Sequence, residues 1–163
     1  TFADTVAFTN ATTIVANFTL TTDGSYFIRV ENPNGLAVRS SSALLNVSDA
    51  PTWTTSAGSL GTVAAGSSVS LTVAATGDSN VTISETTSVL TSNSNTPAGT
   101  MNLTLSGSAA TSASYTISGT APSPTSAQTY TFTLRATDAE SQTADRQFTI
   151  SISVGASGGG QFN

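Results

Sequence analysis

Between Tyr130 and Val154 the chain reads YTFTLRATDAESQTADRQFTISISV, with apolar side chains at alternate positions on both sides of a short acidic tip. Period two is the spacing of a β-strand that turns one face to a core and the other to water. Tyr130, Phe132 and Leu134 make one apolar face, and Phe148, Ile150, Ile152 and Val154 make its partner. The intervening positions are mostly hydroxyl-bearing: Thr129, Thr131, Thr133, Thr149, Ser151 and Ser153. A helix would need apolar residues every three or four positions, and no stretch of the chain shows that pattern.

The same alternation recurs upstream. Val69, Leu71, Val73 and Ala75 share a face, as do Val81 with Ile83, the set Met101, Leu103 and Leu105, and Tyr115 with Ile117. Strand signals at this density over residues 50–155 predict an immunoglobulin-like β-sandwich. Residues 91–99 and 106–112, rich in Ser, Asn and Gly, read as loops, and 156–163 as a Gly-rich linker.

Residues 1–49 also read as strands. Val6 and Phe8 fall on one face, then Ile14, Ala16, Phe18 and Leu20, then Tyr26, Ile28 and Val30, then Leu36 and Val38. The segment ENPNG at 31–35 is a hairpin signal, because Pro33 presets φ and Gly35 accepts a left-handed backbone. Taking Asn32, Pro33 and Asn34 as the loop pairs Val30 with Leu36 and Ile28 with Val38. The inward parity then changes to Ala43, Leu45 and Val47, which predicts a bulge or a switch of sheet near Ser40–Ser42. These strands are too few for a sandwich of their own, so the first module is expected to be incomplete and to need upstream chain or a neighbouring subunit. A junction is expected at SDAPTW, where Pro51 cannot donate to a ladder. Trp53, just beyond it, either fills the core of the second module or wedges between the two.

Composition narrows the chemistry. The chain has no Cys, His or Lys, so it has no thiolate, imidazole or side-chain amine for catalysis or for soft-metal binding. Four Arg against nine acids give a net charge of −5, the wrong sign for neutralising phosphates, and nucleic acid is not an expected partner. No apolar run is long enough to span a membrane as a helix. The first ten residues lack the basic and apolar regions of a signal peptide. Ser and Thr supply roughly a third of the residues, so the outer faces must be largely neutral hydroxyl. N-x-S/T triplets begin at Asn10, Asn17, Asn46, Asn80 and Asn102, with Asn102 inside an expected strand; a chain this rich in hydroxyl residues generates them by chance.

Two segments carry a family resemblance. GSYFIRVENPNGLAVRSSSALLNV resembles the C-terminal half of an IPT/TIG immunoglobulin-like domain. YTISGTAPSPTSAQTYTFTLRATDAESQTADRQFTISISV resembles Ig-like modules of bacterial and phage surface proteins, through the ISGT turn at Ile117–Thr120 and the strand from Tyr130 to Asp138. The pair is similar to structural proteins of tailed phages, particularly marine cyanobacterial phages. PAGTMNLTLSG stands where such modules usually carry LP-x-GL, and the first module lacks its opening strands. The resemblance implies an all-β protein of tandem Ig-like sandwiches on a virion or extracellular surface.

The acidic tip admits two readings. Asp138, Glu140 and Asp145 could supply oxygens to Ca²⁺, although a calcium site wants six to eight ligands and no DxDxDG loop is present. Alternatively the tip is only a turn. With Ala139, Glu140 and Ser141 as its loop, Arg135 falls opposite Asp145 as an exposed ion pair. A glycosidase pair is disfavoured, because two acids on one hairpin tip have no cleft to desolvate them. The Pro122 and Pro124 of SGTAPSP read as a rigid connection between strands rather than as a polyproline ligand.

The expected function is therefore a non-enzymatic virion structural protein, without cofactor unless calcium binds. Its partners would be other virion proteins, copies of itself, and host-surface glycans if it is instead an adhesin module. Phe27 and Trp53 are the aromatics that could meet such a partner.

Overall fold

A computed structural model describes residues 1–90 and 101–155. The described chain is all-β and divides into two compact units, the first Thr1–Asp49 and the second beginning at Ala50.

The first unit holds three two-stranded antiparallel ladders. β1 (Thr5–Asn10) pairs with β2 (Thr13–Asn17), placing Val6 opposite Ala16 and Phe8 opposite Ile14. β4 (Arg29–Glu31) pairs with β5 (Ala37–Arg39), and β3 (Gly24–Tyr26) with β6 (Leu45–Val47). The ENPNG hairpin forms, but its register differs from the expected one by two residues. Val30 faces Val38 rather than Leu36, and Ser40, not Val38, bonds to the carbonyl of Ile28. The cause is Gly35, whose φ of +84° makes it the last residue of the loop, so that Asn32 and Leu36 close the turn. Between Ser40 and Leu44 the returning strand leaves one ladder and joins the next, as the change of parity predicted.

None of residues 1–49 is buried. Phe18, Leu20, Tyr26, Ile28 and Val47 are half-buried, whereas Phe8 is 74% and Val38 70% exposed. The alternation is present, yet within this unit no second layer covers the apolar faces.

The second unit is a two-sheet sandwich. Its strands are β7 (Thr52–Trp53), β8 (Gly58–Ala64), β9 (Ser68–Glu85), β10 (Thr104–Gly107), β11 (Ala110–Thr120), β12 (Gln128–Thr137) and β13 (Thr143–Ser153). One sheet runs β7, the first half of β9, β11 and β10; the other runs the second half of β9, then β12, β13 and β8. An immunoglobulin sandwich places strands A, B, E and D in one sheet and C, F and G in the other. Here β7, β9, β11 and β10 take the places of A, B, E and D. The end of β9, with β12 and β13, takes those of C, F and G, and β8 extends that sheet by pairing parallel to β13. The strand order alone makes the unit Ig-like.

The expected inward residues build its core. Phe132, Leu134, Phe148, Ile150, Val73 and Ile117 are fully buried and belong to one cluster drawn from both sheets. Each such side chain contributes roughly 1.5–3 kcal/mol relative to exposure. Trp53 lies in this core at 6% exposure, edge-on to Phe148 with ring centroids 5.4 Å apart. Its indole N–H donates to the carbonyl of Ala144 at 2.9 Å, which pins β7 to the start of β13.

Two local expectations are corrected. Residues 106–112 are not a loop: β10 and β11 fill most of the stretch, leaving only Ser108 and Ala109 between them. Gly107 permits this, because a Cβ there would lie 2.5 Å from Cγ of Tyr115, directly across the ladder. Asn102 is not in a strand, since β10 begins at Thr104 and Asn102 takes a φ of +52°. The loop expected at 91–99 and the linker at 156–163 lie outside the described residues.

Candidate functional site

The acidic tip is the turn between β12 and β13. The N–H of Asp138 donates to the carbonyl of Gln142 at 3.1 Å, and that of Ser141 to the carbonyl of Asp138 at 3.3 Å. This leaves Ala139, Glu140 and Ser141 as a three-residue loop whose last member has a φ of +69°. Three-residue hairpin loops combine a type I turn with a left-handed residue at that place.

The turn does not bring Asp138, Glu140 and Asp145 together. Asp145 faces Arg135 across the ladder and accepts two hydrogen bonds from its guanidinium, at 2.7 and 2.8 Å. Those bonds hold the Asp145 carboxyl below the usual carboxylate range and raise the Arg135 guanidinium. Both side chains stand well in water, so the pair fixes the register of the hairpin more than it stabilises the fold.

A residue from another element takes the third place. β9 kinks at Gly77–Asn80, where it passes from one sheet to the other and its ladder with β11 shifts register. The kink carries Asp78 and Ser79 up to the β12–β13 tip. Ser79 Oγ accepts from the N–H of Ala139 at 3.1 Å and donates to Glu140 Oε2 at 2.5 Å, tying the two segments together. Asp78, Asp138 and Glu140 each bring a carboxylate oxygen to this place, all within 4.8 Å of one another.

Asp138 differs from the other two in being 6% exposed, while Asp78 and Glu140 face solvent. Its Oδ1 accepts from the N–H of Gln142 at 2.7 Å. Its Oδ2 is buried and has no hydrogen-bond partner. A carboxyl oxygen buried without a partner is costly, and a bound cation is one way such an atom is satisfied.

The aromatics proposed for an interaction surface end up in different settings. Trp53 is core, with its one donor already used. Phe27 is 40% exposed, and the Arg39 guanidinium lies over its ring at 3.9 Å. Arg29 pairs with Glu31, and Arg146 donates to the carbonyl of Thr55 at 2.7 Å.

Sequence reasoning missed Asp78. The signal was GDSN at 77–80, turn chemistry between two apolar runs. In an immunoglobulin sandwich the B–C and F–G connections lie at the same end, which is how residues about sixty positions apart come to meet here.

No family model matches the chain, and no curated protein matches it. Among solved structures it is similar to the sialic acid binding region of an adhesin from Streptococcus sanguinis SK1, bound to 3'sLn. Identity there is 15% and the TM-score 0.48, over 78% of this chain and 35% of that one. It is also similar to the BIgI domain of the beta protein from S. agalactiae bound to CEACAM1, at 22% identity and a TM-score of 0.45, over 64% of this chain and 98% of that one. A three-Ig segment of titin aligns at 13% identity and a TM-score of 0.49, over 96% of this chain and 51% of that one. The chain thus spans about a third of the adhesin region and about half of the titin segment. The strand order of the second unit, rather than these likenesses, carries the fold.

Proposed function

We propose that this protein is a non-enzymatic structural component of a virion or extracellular surface, displaying Ig-like modules as a spacer, fibre shaft or capsid decoration. The observation that carries the reading is the contrast between the units. The second closes a complete core and turns Thr and Ser outward. The first leaves Phe2, Val6, Phe8, Leu36 and Val38 exposed, with no buried residue of its own. Exposed apolar sets of this kind mark surfaces that associate with other chains, and the two-stranded ladders offer unpaired edges for the same purpose. Other chains of the same assembly, copies of this one included, are the partners such a surface fits. A neutral hydroxyl exterior has little charge for salt to screen, which suits a particle exposed to seawater.

Gold-labelled antibody against the recombinant chain tests this on purified particles and on host cells. Label on the particle surface is the expected result. Label confined to the cell interior would overturn it. A glycan array run beside it addresses the adhesin alternative, which no longer has Trp53 to offer a sugar. Reproducible sugar binding that is lost on Phe27→Ala would favour that alternative.

A further inference from the structure

We infer that Asp78, Asp138 and Glu140 bind a calcium ion that clamps the β9 kink to the β12–β13 hairpin tip. Two independent observations meet at this place. Three carboxylate oxygens from two separate segments converge within 4.8 Å, and one of the three groups carries a buried oxygen that no protein donor satisfies. Like charges brought this close repel one another, and a cation among them relieves that repulsion. The buried Oδ2 of Asp138 adds to this, since a carboxyl oxygen that no protein donor reaches is one that a cation can satisfy.

The dimensions and the donor set select the ion. Calcium binds oxygens at about 2.3–2.6 Å, so ligands on opposite sides of one ion stand about 4.6–5.2 Å apart. Carboxylate oxygens within 4.8 Å of one another are close enough to share one such ion. All the donors are hard oxygens and the chain has neither His nor Cys, which disfavours zinc and copper. Magnesium demands a tighter octahedron at about 2.0–2.1 Å and gives up water reluctantly, so it fits an open three-carboxylate site less well. Solvent at the exposed carboxylates supplies the remaining ligands as water. Such partly open sites on extracellular modules bind with dissociation constants on the order of 10⁻⁴ to 10⁻³ M.

The site differs from the one expected from sequence in one residue, and that residue makes a control. Asp145 is committed to Arg135 and lies outside the cluster. The test is isothermal titration of CaCl₂ into protein stripped with EDTA, paired with thermal melting in CaCl₂ and in EDTA. The unaltered protein is expected to bind one ion and to melt higher in calcium. Asp78→Asn and Glu140→Gln are expected to weaken binding at least tenfold and to abolish the calcium-dependent rise. Asp145→Asn should keep the full calcium response. Identical melting in CaCl₂ and EDTA, or a calcium response that survives both Asp78→Asn and Glu140→Gln, would overturn the proposal.

Discussion

Gly35 and Ser141 hold the same place in two hairpins of different units, each the last residue of a three-residue loop and each with a positive φ, +84° and +69°. The first loop is closed by Asn32 and Leu36, the second by Asp138 and Gln142, through the same pattern of backbone bonds. Glycine takes that backbone freely, whereas an L side chain carries a steric cost of about 1–2 kcal/mol. Ser141→Gly should therefore stabilise the second unit by about 0.5–1 kcal/mol, after the greater unfolded-state freedom of glycine is set against the relief. Urea midpoints at constant slope, measured in EDTA, would report it; an unchanged or lower midpoint would show that the serine is not strained.

Gly107 has a stricter reason to be glycine. A Cβ there would meet Cγ of Tyr115 at 2.5 Å and the carbonyl of Ser114 at 2.8 Å, neither of which is the far end of a flexible chain. Gly107→Ala should cost about 1–3 kcal/mol, the range for an overpacked site. Combining it with Tyr115→Ala should give a loss smaller than the sum of the two single losses, because the ring that clashes is gone.

Trp53 joins the opening strand of its unit to the last one through a single hydrogen bond and a T-shaped contact with Phe148. Trp53→Ala should lower stability by about 3–5 kcal/mol, the usual cost of truncating a large buried aromatic. Fluorescence from this only tryptophan should be blue-shifted in the native protein and move to the red on unfolding. Emission already at the wavelength of free tryptophan would place the ring in water and contradict the packing.

The Arg135–Asp145 pair gives a pH dependence of known sign. The Asp145 carboxyl is held low by its bonds to Arg135, so whatever the pair contributes is present above the ordinary carboxylate range and disappears as pH falls through the depressed value. Titration of Asp145 by NMR should show a pKa below the ordinary value, and Arg135→Gln should return it there. A value that does not respond to that substitution would mean that the pair is not formed in solution.

Much of this architecture was legible in the alternation of apolar residues. Phe132 and Ile150 had to turn inward because their neighbours are Thr or Ser, and they did. The register of the β12–β13 hairpin followed too, down to Arg135 opposite Asp145, since the loop length and the two apolar faces fix it together. What escaped reading depends on contacts distant in sequence or on packing that overrides local propensity. Val69–Ala75 and Val81–Ile83 looked like two strands, whereas one eighteen-residue strand bends through GDSN and serves both sheets. Residues 106–112 look like a loop because Gly, Ser and Ala have little strand propensity; opposite Tyr115 a glycine is what the ladder requires. The shifted ENPNG register came from placing Gly35 outside its loop, when the left-handed residue belongs inside it. In residues 1–49 the pattern gave faces and could not say whether anything covers them. The turn chemistry of GDSN was legible, but the meeting of its Asp78 with Asp138 exists only once the sheets have closed.

That closure is the claim on which the rest depends, and native-state amide hydrogen exchange tests it most directly. The amides of Phe132, Leu134, Phe148 and Ile150 should exchange only through global unfolding, with protection that matches the stability found by urea and falls with it in Trp53→Ala. Exchange of those amides at rates near those of an unstructured peptide would mean that the two sheets do not close over a common core.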